Sequence, residues 1–354
     1  MPNATSETRR VLVVGLGGTI TMTSSAEGGV VPALTAADLL AAVPGLASMD
    51  IEVRAEDFRR LPGAALSFDD LVKLSALIRE RFAAGVDGVV VVQGTDTIEE
   101  TSYLLDLYHS GPQPIVVTGA MRNPTMAGAD GPANLLAAVQ TAASSAVRNM
   151  GCVVVFADEI HAARRVRKTH STAGSTFQSP NGGPLGYVVE GRPRIVNHLG
   201  ARTVVPGPAG SEHRVALLTV SLGDDGTLLQ GLADRVDGAV IAGFGAGHVP
   251  PLIVPALHDL ADRIPVVLAS RTGAGSVLAE TYGFPGSERD LLSKGLISAG
   301  FLDPLKARIL LWAALAAGAG RKSIAEAFAA SGEDPSGWPW AERRESPAEE
   351  TAHA

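Results

Sequence analysis

Apolar residues in this chain gather in short β-branched runs, each ending in glycine or a small polar residue. Seven stand out: Val11–Val14, Val89–Val92, Ile115–Thr118, Val153–Phe156, Val215–Val220, Ala239–Ala242 and Val266–Ala269. Unbroken runs of this length suit strands buried on both faces, as in a parallel sheet. Helical stretches lie between several of them, over 69–84, 98–109, 131–146 and 251–262. The alternation predicts βαβ units and an α/β fold. The Pro- and Gly-rich stretch GARTVVPGPAGSEH (200–213) interrupts it. We therefore expect a larger N-terminal domain over 10–200, with a mainly parallel sheet flanked by helices. A linker at 201–213 and a smaller α/β C-terminal domain over 214–330 follow, the latter closed by helices at 304–317 and 321–330. From Ser331 the apolar period is lost, which predicts a disordered tail over 331–354. No internal repeat is visible.

Composition narrows the function classes. The 354 residues are 46% hydrophobic and 19% charged, as in ordinary globular proteins. The net charge of −8 comes without a dense basic block, which argues against nucleic acid as a partner. The one cysteine, Cys152, cannot form an internal disulfide and reads as a small core residue. MPNATSETRR runs straight into VLVVGLGG, an apolar segment too short and too glycine-rich for a signal peptide or a membrane span. A soluble, cytoplasmic protein with no membrane contact is expected.

Ligands of open parallel sheets bind beyond the carboxyl ends of the strands. Those ends carry GLGGTIT (15–21) with Thr19, QGTDT (93–97) with Thr95 and Asp96, GAMRNP with Ala120, and a polar segment reaching ARRVRKTHST with Lys168. Two hydroxyls, a carboxylate and an amine are therefore able to converge. Thr97-Ile-Glu-Glu100 has capping-box spacing, which would begin a helix whose free amides favour an anion. The plainer alternative is that Thr95 and Asp96 only cap and turn the chain. GLGGTI lacks both the G-x-G-x-x-G spacing and the lysine of a phosphate loop. Its glycines would instead let the backbone approach a small ligand, with Thr19 as nucleophile. A threonine hydroxyl needs a proton acceptor to attack a carbonyl. Lys168 beside Asp96 would supply such a relay.

GLGGTI (15–20), QGTDTIEET (93–101), TGAMRNP…GADGPANL (118–135), RRVRKTHSTAGSTFQSPNGGPLG (164–186) and LDPLKARILL (302–311) resemble the bacterial-type L-asparaginase/glutaminase family, from about Val11 to Phe328. The resemblance implies hydrolysis of L-asparagine to L-aspartate and ammonia without metal or cofactor. It implies Thr19 as the nucleophile that forms an acyl-enzyme, Thr95 as the second catalytic threonine and Lys168 as its activating lysine. Asp96 would support the relay and hold the substrate α-amino group, and the Ala120 backbone would contact the side-chain amide. It also implies a homodimer or homotetramer in which a neighbour's C-terminal domain completes each site. Glu288 in FPGSERD is the best match for that neighbour's acid; the alternative is a solvated loop acid.

Three departures from the family pattern stand out. The stretch TMTSSAEGGVVP (21–32) lacks the lid tyrosine, and the only tyrosines are Tyr103, Tyr108, Tyr187 and Tyr282. LPGAALS (61–67) places Gly63 and Ala64 where a Ser-Gln-Asp-like segment usually binds the substrate α-carboxylate. Backbone amides would make that contact instead, and Gly63→Ser with Ala64→Gln would restore the donors. His248 replaces an asparagine, and a lone histidine is more often a packed or exposed bystander. Other substrates (L-glutamine, a D-isomer or another small amide) and a non-catalytic amino-acid sensor are the alternatives. The fold's transfer-RNA-linked amidotransferases carry an extra N-terminal domain, whereas here GGTI begins at residue 17.

Overall fold

A computed structural model describes residues 8–24, 30–32, 34–208 and 212–332. Most of the expected tail, part of the lid stretch and residues 209–211 of the expected linker lie outside the described residues. All seven apolar runs are strands.

The N-terminal sheet opens with β1 (Arg9–Gly15). A hairpin of β2 (Met22–Ser24) and β3 (Val30–Pro32), then α1 (Ala36–Ala41), lead to β4 (Ile51–Asp57). Three units follow: α2 (Phe68–Ala83) with β5 (Gly88–Val92), α3 (Ile98–Tyr108) with β6 (Ile115–Thr118), and α4 (Gly131–Ala143) with β7 (Cys152–Phe156). Strands β4, β1, β5, β6 and β7 lie side by side in that order, all parallel. The chain thus builds outward from β1 on one side, then on the other. That reversal makes the carboxyl ends of β1 and β5 a topological switch point, where open α/β sheets form a crevice. Antiparallel β8 (Glu159–Ala162) extends the sheet. The small β9 (Arg167–Lys168) and β10 (Phe177–Gln178) pair only with each other, and β11 (Gly186–Val189) and β12 (Arg192–Ile195) finish the edge.

The four valines ahead of QGTDT show why the runs are unbroken. Val89 and Val91 enter the core beneath α2 and α3, while Val90 and Val92 enter the one beneath α4. A strand alternates faces, and here both faces are dry. Cys152 is buried, as its place in an apolar run suggests, and burial pushes its thiol well above the usual range.

The second domain is a four-stranded parallel sheet in the order β13 (Val215–Thr219), β14 (Gly238–Gly243), β15 (Val266–Ser270) and β16 (Ile297–Ser298). It carries α5 (Val254–Arg263), α6 (Glu288–Ser293), α7 (Pro304–Ala316) and α8 (Arg321–Ser331). α7 is apolar nearly all round because it lies between this sheet and α3 of the first domain. Trp312 stacks on Phe68 with centroids 4.0 Å apart, so one core serves both domains. The stretch after residue 200 is laid along α3, with Arg202 Nη2 2.9 Å from buried Asp106 Oδ1 and Val205 N–H donating to the Leu107 carbonyl.

Candidate active site

Three loops meet backbone to backbone at the switch point. The loop after β1 sets Gly18 against Gly94: a Cβ on Gly18 would fall 2.1 Å from the Gly94 nitrogen. A Cβ on Gly17 would fall 2.6 Å from the Leu61 carbonyl oxygen. Both glycines also have positive φ, +102° and +90° for Gly17 and Gly18. These two glycines admit the neighbouring loops. Hydrogen bonds from Leu16 N–H to the Val92 carbonyl and from Leu61 N–H to the Leu16 carbonyl fix the same contact.

The capping box is corrected. Thr97 does precede α3, but its side chain caps no helix amide. Its hydroxyl donates to the Gly63 carbonyl at 3.1 Å and accepts from Gln93 Nε2 at 3.2 Å. The hydroxyl ties the Gly63 loop to QGTDT instead of starting the helix. The restoration suggested for Gly63 fails for the same reason. A Cβ there would sit 2.9 Å from the Gly94 carbonyl oxygen, so Gly63→Ser would displace the loop it was meant to equip. Gly63 is buried, while Ala64 next to it is exposed.

Against this frame stand the reactive groups. Lys168, on β9, donates from Nζ to Thr95 Oγ1 at 3.0 Å and to Asp96 Oδ1 at 2.9 Å. Thr95 is buried, the Lys168 side chain is 16% exposed and that of Asp96 is 64% exposed, so the acid faces solvent while the amine faces the hydroxyl. Thr19 is half-buried in the short helical turn Thr19–Thr21, one residue from the Gly18–Gly94 contact. Ala120 is buried beyond β6, in a loop braced by Asn134 Nδ2 to the Gly119 carbonyl at 3.0 Å and by Asp130, which accepts from Met121 and Arg122 N–H. Among the described residues no group of three or more His, Cys, Asp or Glu side chains is placed to hold a metal ion.

Glu288 belongs to the second domain. It is no solvated loop acid, since it opens α6 with no exposed surface. One oxygen accepts from Thr281 and Tyr282 N–H at 3.0 and 2.7 Å, and the other lies 3.2 Å from His248 Nε2. Burial works against its charge, but the Tyr282 amide, its own amide, the Thr281 amide and His248 together hold its carboxyl below the usual range. The His248 ring meets Tyr282 and Phe284 edge-on, and both are exposed. Neither Tyr103, fully buried, nor Tyr108 replaces a lid tyrosine: burial drives both phenols up, and both sit on α3 as packing residues.

The profile described as "Asparaginase, N-terminal" matches residues 10–199, and that described as "Glutaminase/Asparaginase C-terminal domain" matches 214–328. The chain belongs to the asparaginase family. It is similar to the Probable L-asparaginase of Deinococcus radiodurans, 37% identical, with 90% of this chain and 97% of that protein covered. It is also similar to the L-asparaginase of Bacillus licheniformis, at 32% identity with 87% and 96% covered. Among solved structures, the Probable Cytoplasmic L-asparaginase from Campylobacter jejuni superposes with a TM-score of 0.80 at 34% identity, covering 90% of this chain and 99% of that one. In this asparaginase-family chain, the structure brings together Thr95, Asp96 and Lys168 from the expected set. Sequence reasoning missed Glu99, Gln93 and Thr97 as structural partners of the site. The capping spacing at Thr97 was a true signal of a helix start with the wrong bond attached.

Proposed function

We propose that this chain hydrolyses the side-chain amide of L-asparagine to L-aspartate and ammonia, with Thr19 forming the acyl-enzyme. The observation that carries this reading is Lys168 Nζ within hydrogen-bond reach of both Thr95 and Asp96 at the switch point of an asparaginase-family fold. The Thr19 hydroxyl attacks the amide carbon, and its proton passes through the Thr95–Lys168 relay to the leaving nitrogen as the carbon–nitrogen bond breaks. Ammonia leaves, and water then cleaves the ester to release aspartate and free Thr19. The exposed Asp96 carboxylate would take the substrate α-ammonium. Amides of Gly63 and Ala64 would take the α-carboxylate and the Ala120 backbone the side-chain amide.

The same reading makes the protein a homodimer or homotetramer in which a second copy covers the site. The group such a copy presents is His248, flanked by exposed Tyr282 and Phe284 and backed by Glu288. Glu288 would then act through His248 rather than by touching the substrate. We place the protein in the cytoplasm, which fractionation of cells tests. Among the described residues no helix is long and apolar enough to cross a membrane.

Ammonia release from a panel of L- and D-amides, run beside calorimetric binding, tests the function. L-asparagine is expected to give the highest kcat/KM. A higher value for L-glutamine would move the assignment to the glutaminase side of the family, and tight binding without ammonia would make the chain a sensor.

A further inference from the structure

A buried ion cluster lies behind the site, and nothing in the proposed reaction uses it. Lys306 on α7 has no exposed surface. Its ammonium donates to Asp303 Oδ2 at 2.8 Å, to Glu99 Oε2 at 3.4 Å and to the Val166 carbonyl. Asp303 is itself fixed, since its other oxygen accepts from Leu305 and Lys306 N–H at the start of α7. The second oxygen of buried Glu99 accepts from Lys168 N–H at 3.3 Å. One cluster therefore grips the chain on both sides of Arg167: Lys306 holds the Val166 carbonyl, and Glu99, held by Lys306, takes the Lys168 amide.

This grip acts on a very short strand, flanked by hydrogen bonds from Val166 N–H to the Ala162 carbonyl and from Thr169 N–H to the Thr176 carbonyl. β9 is only Arg167–Lys168, outside the main sheet and paired with the equally short β10. A lysine side chain has many rotamers, so its head is only as well placed as the backbone that carries it. Burying an ammonium with carboxylates is costly, and apolar residues of similar size often stabilise a protein as well or better. Stability alone is thus a weak reason for this cluster to exist.

We propose that Lys306 and Glu99 are positioning residues of the hydrolysis. They fix β9 so that Lys168 reaches Thr95 and Asp96 together, which makes α7 of the second domain part of the first domain's site. The inference rests on the reading that Lys168 belongs to the proton relay.

The test is steady-state kinetics with L-asparagine on the full chain, with thermal unfolding alongside. The variants are Glu99→Gln, Lys306→Met, the charge-neutral pair Glu99→Gln/Lys306→Met, Lys168→Met, and Lys168→Met combined with Glu99→Gln. Glu99→Gln is expected to lower kcat about 10- to 100-fold with KM changed less than about threefold, as for a misplaced reacting group. In the Lys168→Met background the same change is expected to cost almost nothing further, because its effect passes through Lys168. If Lys306→Met does not fold, the charge-neutral pair carries the same expectation. Folded Glu99→Gln with wild-type kcat would overturn the proposal. So would a loss of equal size with and without Lys168, which marks a general structural role. Lys168→Met with near-normal kcat would instead overturn the relay reading itself, so the two failures are distinguishable.

Discussion

Asp96 and Glu288 are both carboxylates beside a basic side chain, yet the structure treats them in opposite ways. Asp96 lies beyond the end of β5 with its side chain 64% exposed and Lys168 as its ion-pair partner. Glu288 is fully buried, with two amides and a histidine occupying its oxygens. An acid that binds substrate needs accepting capacity left over, and an acid that builds a loop has none. Asp96 keeps that capacity, whereas the Glu288 oxygens are already occupied. The loops around Asp96 are packed backbone to backbone at glycine contacts, while the Asp96 side chain stays open to solvent.

The largest effect separating the two regions is expected at Lys168. Lys168→Met removes the ammonium that donates to Thr95, and kcat for L-asparagine should fall roughly 10²- to 10⁴-fold, the usual worth of a positioned proton-transfer group. Steady-state ammonia release measures it, and a fall of less than about threefold would reduce Lys168 to a structural ion pair.

Next comes the platform. Gly18→Ala places a methyl against the Gly94 backbone at a positive φ, with no flexible side chain to give way. We expect about 3–4 kcal/mol of destabilisation, from strain and overpacking together, read from urea unfolding midpoints. Unchanged stability in the Gly18→Ala variant would show that the loops are not locked.

Glu288→Ala should cost about 1.5–3 kcal/mol, because it strands amide donors built to meet a charge. Its stability contribution has a definite pH sign. A carboxyl held below its ordinary range stabilises the fold above the unfolded value and loses that contribution as pH falls through the folded one. The wild-type advantage over Glu288→Gln should therefore shrink on acidification; an advantage independent of pH would contradict a charged, amide-bound Glu288.

The smallest effect sharpens the same contrast with a group whose charge the fold refuses. His161 is buried with Nδ1 3.0 Å from Ser179 Oγ, and burial lowers its pKa to about 4 even though Glu159 Oε2 lies 3.3 Å from Nε2. The unfolded chain takes up this proton near pH 6.5 and the folded one only near pH 4. Stability is thus complete above the higher value and drains between the two, by about 2 kcal/mol at pH 5 at 1.36 kcal/mol per unit. Unfolding of wild type and His161→Gln at pH 7 and 5 checks it, and equal slopes would contradict the burial account.

The fold was readable because its signal is local. Runs such as Val89–Val92 must be buried on both faces, and each ends where the chain turns towards the site. Half-exposed β4, alternating as IEVRAED at the sheet edge, shows no such run and was missed. So were β9 and β10, which have two residues each. Thr95, Asp96 and Lys168 were legible because their residue types sit at strand ends. The roles of Gly17 and Gly18 were not, since only the folded chain brings Leu61 and Gly94 against them. Lys306 was equally hidden. A lysine on a helix reads as a solvated charge, and its burial depends on Glu99, 207 positions away in sequence.

The most direct test of the reaction assigned to the open cluster is turnover and binding in Thr19→Ala. Removal of a nucleophile leaves a folded protein with intact substrate binding and lost chemistry. We predict that Thr19→Ala binds L-asparagine within a few-fold of wild type, by calorimetry, while kcat falls by at least roughly 10³-fold, as for other covalent catalysts stripped of their nucleophile. Ammonia release by the purified variant within about tenfold of wild type would contradict it and move the nucleophile elsewhere.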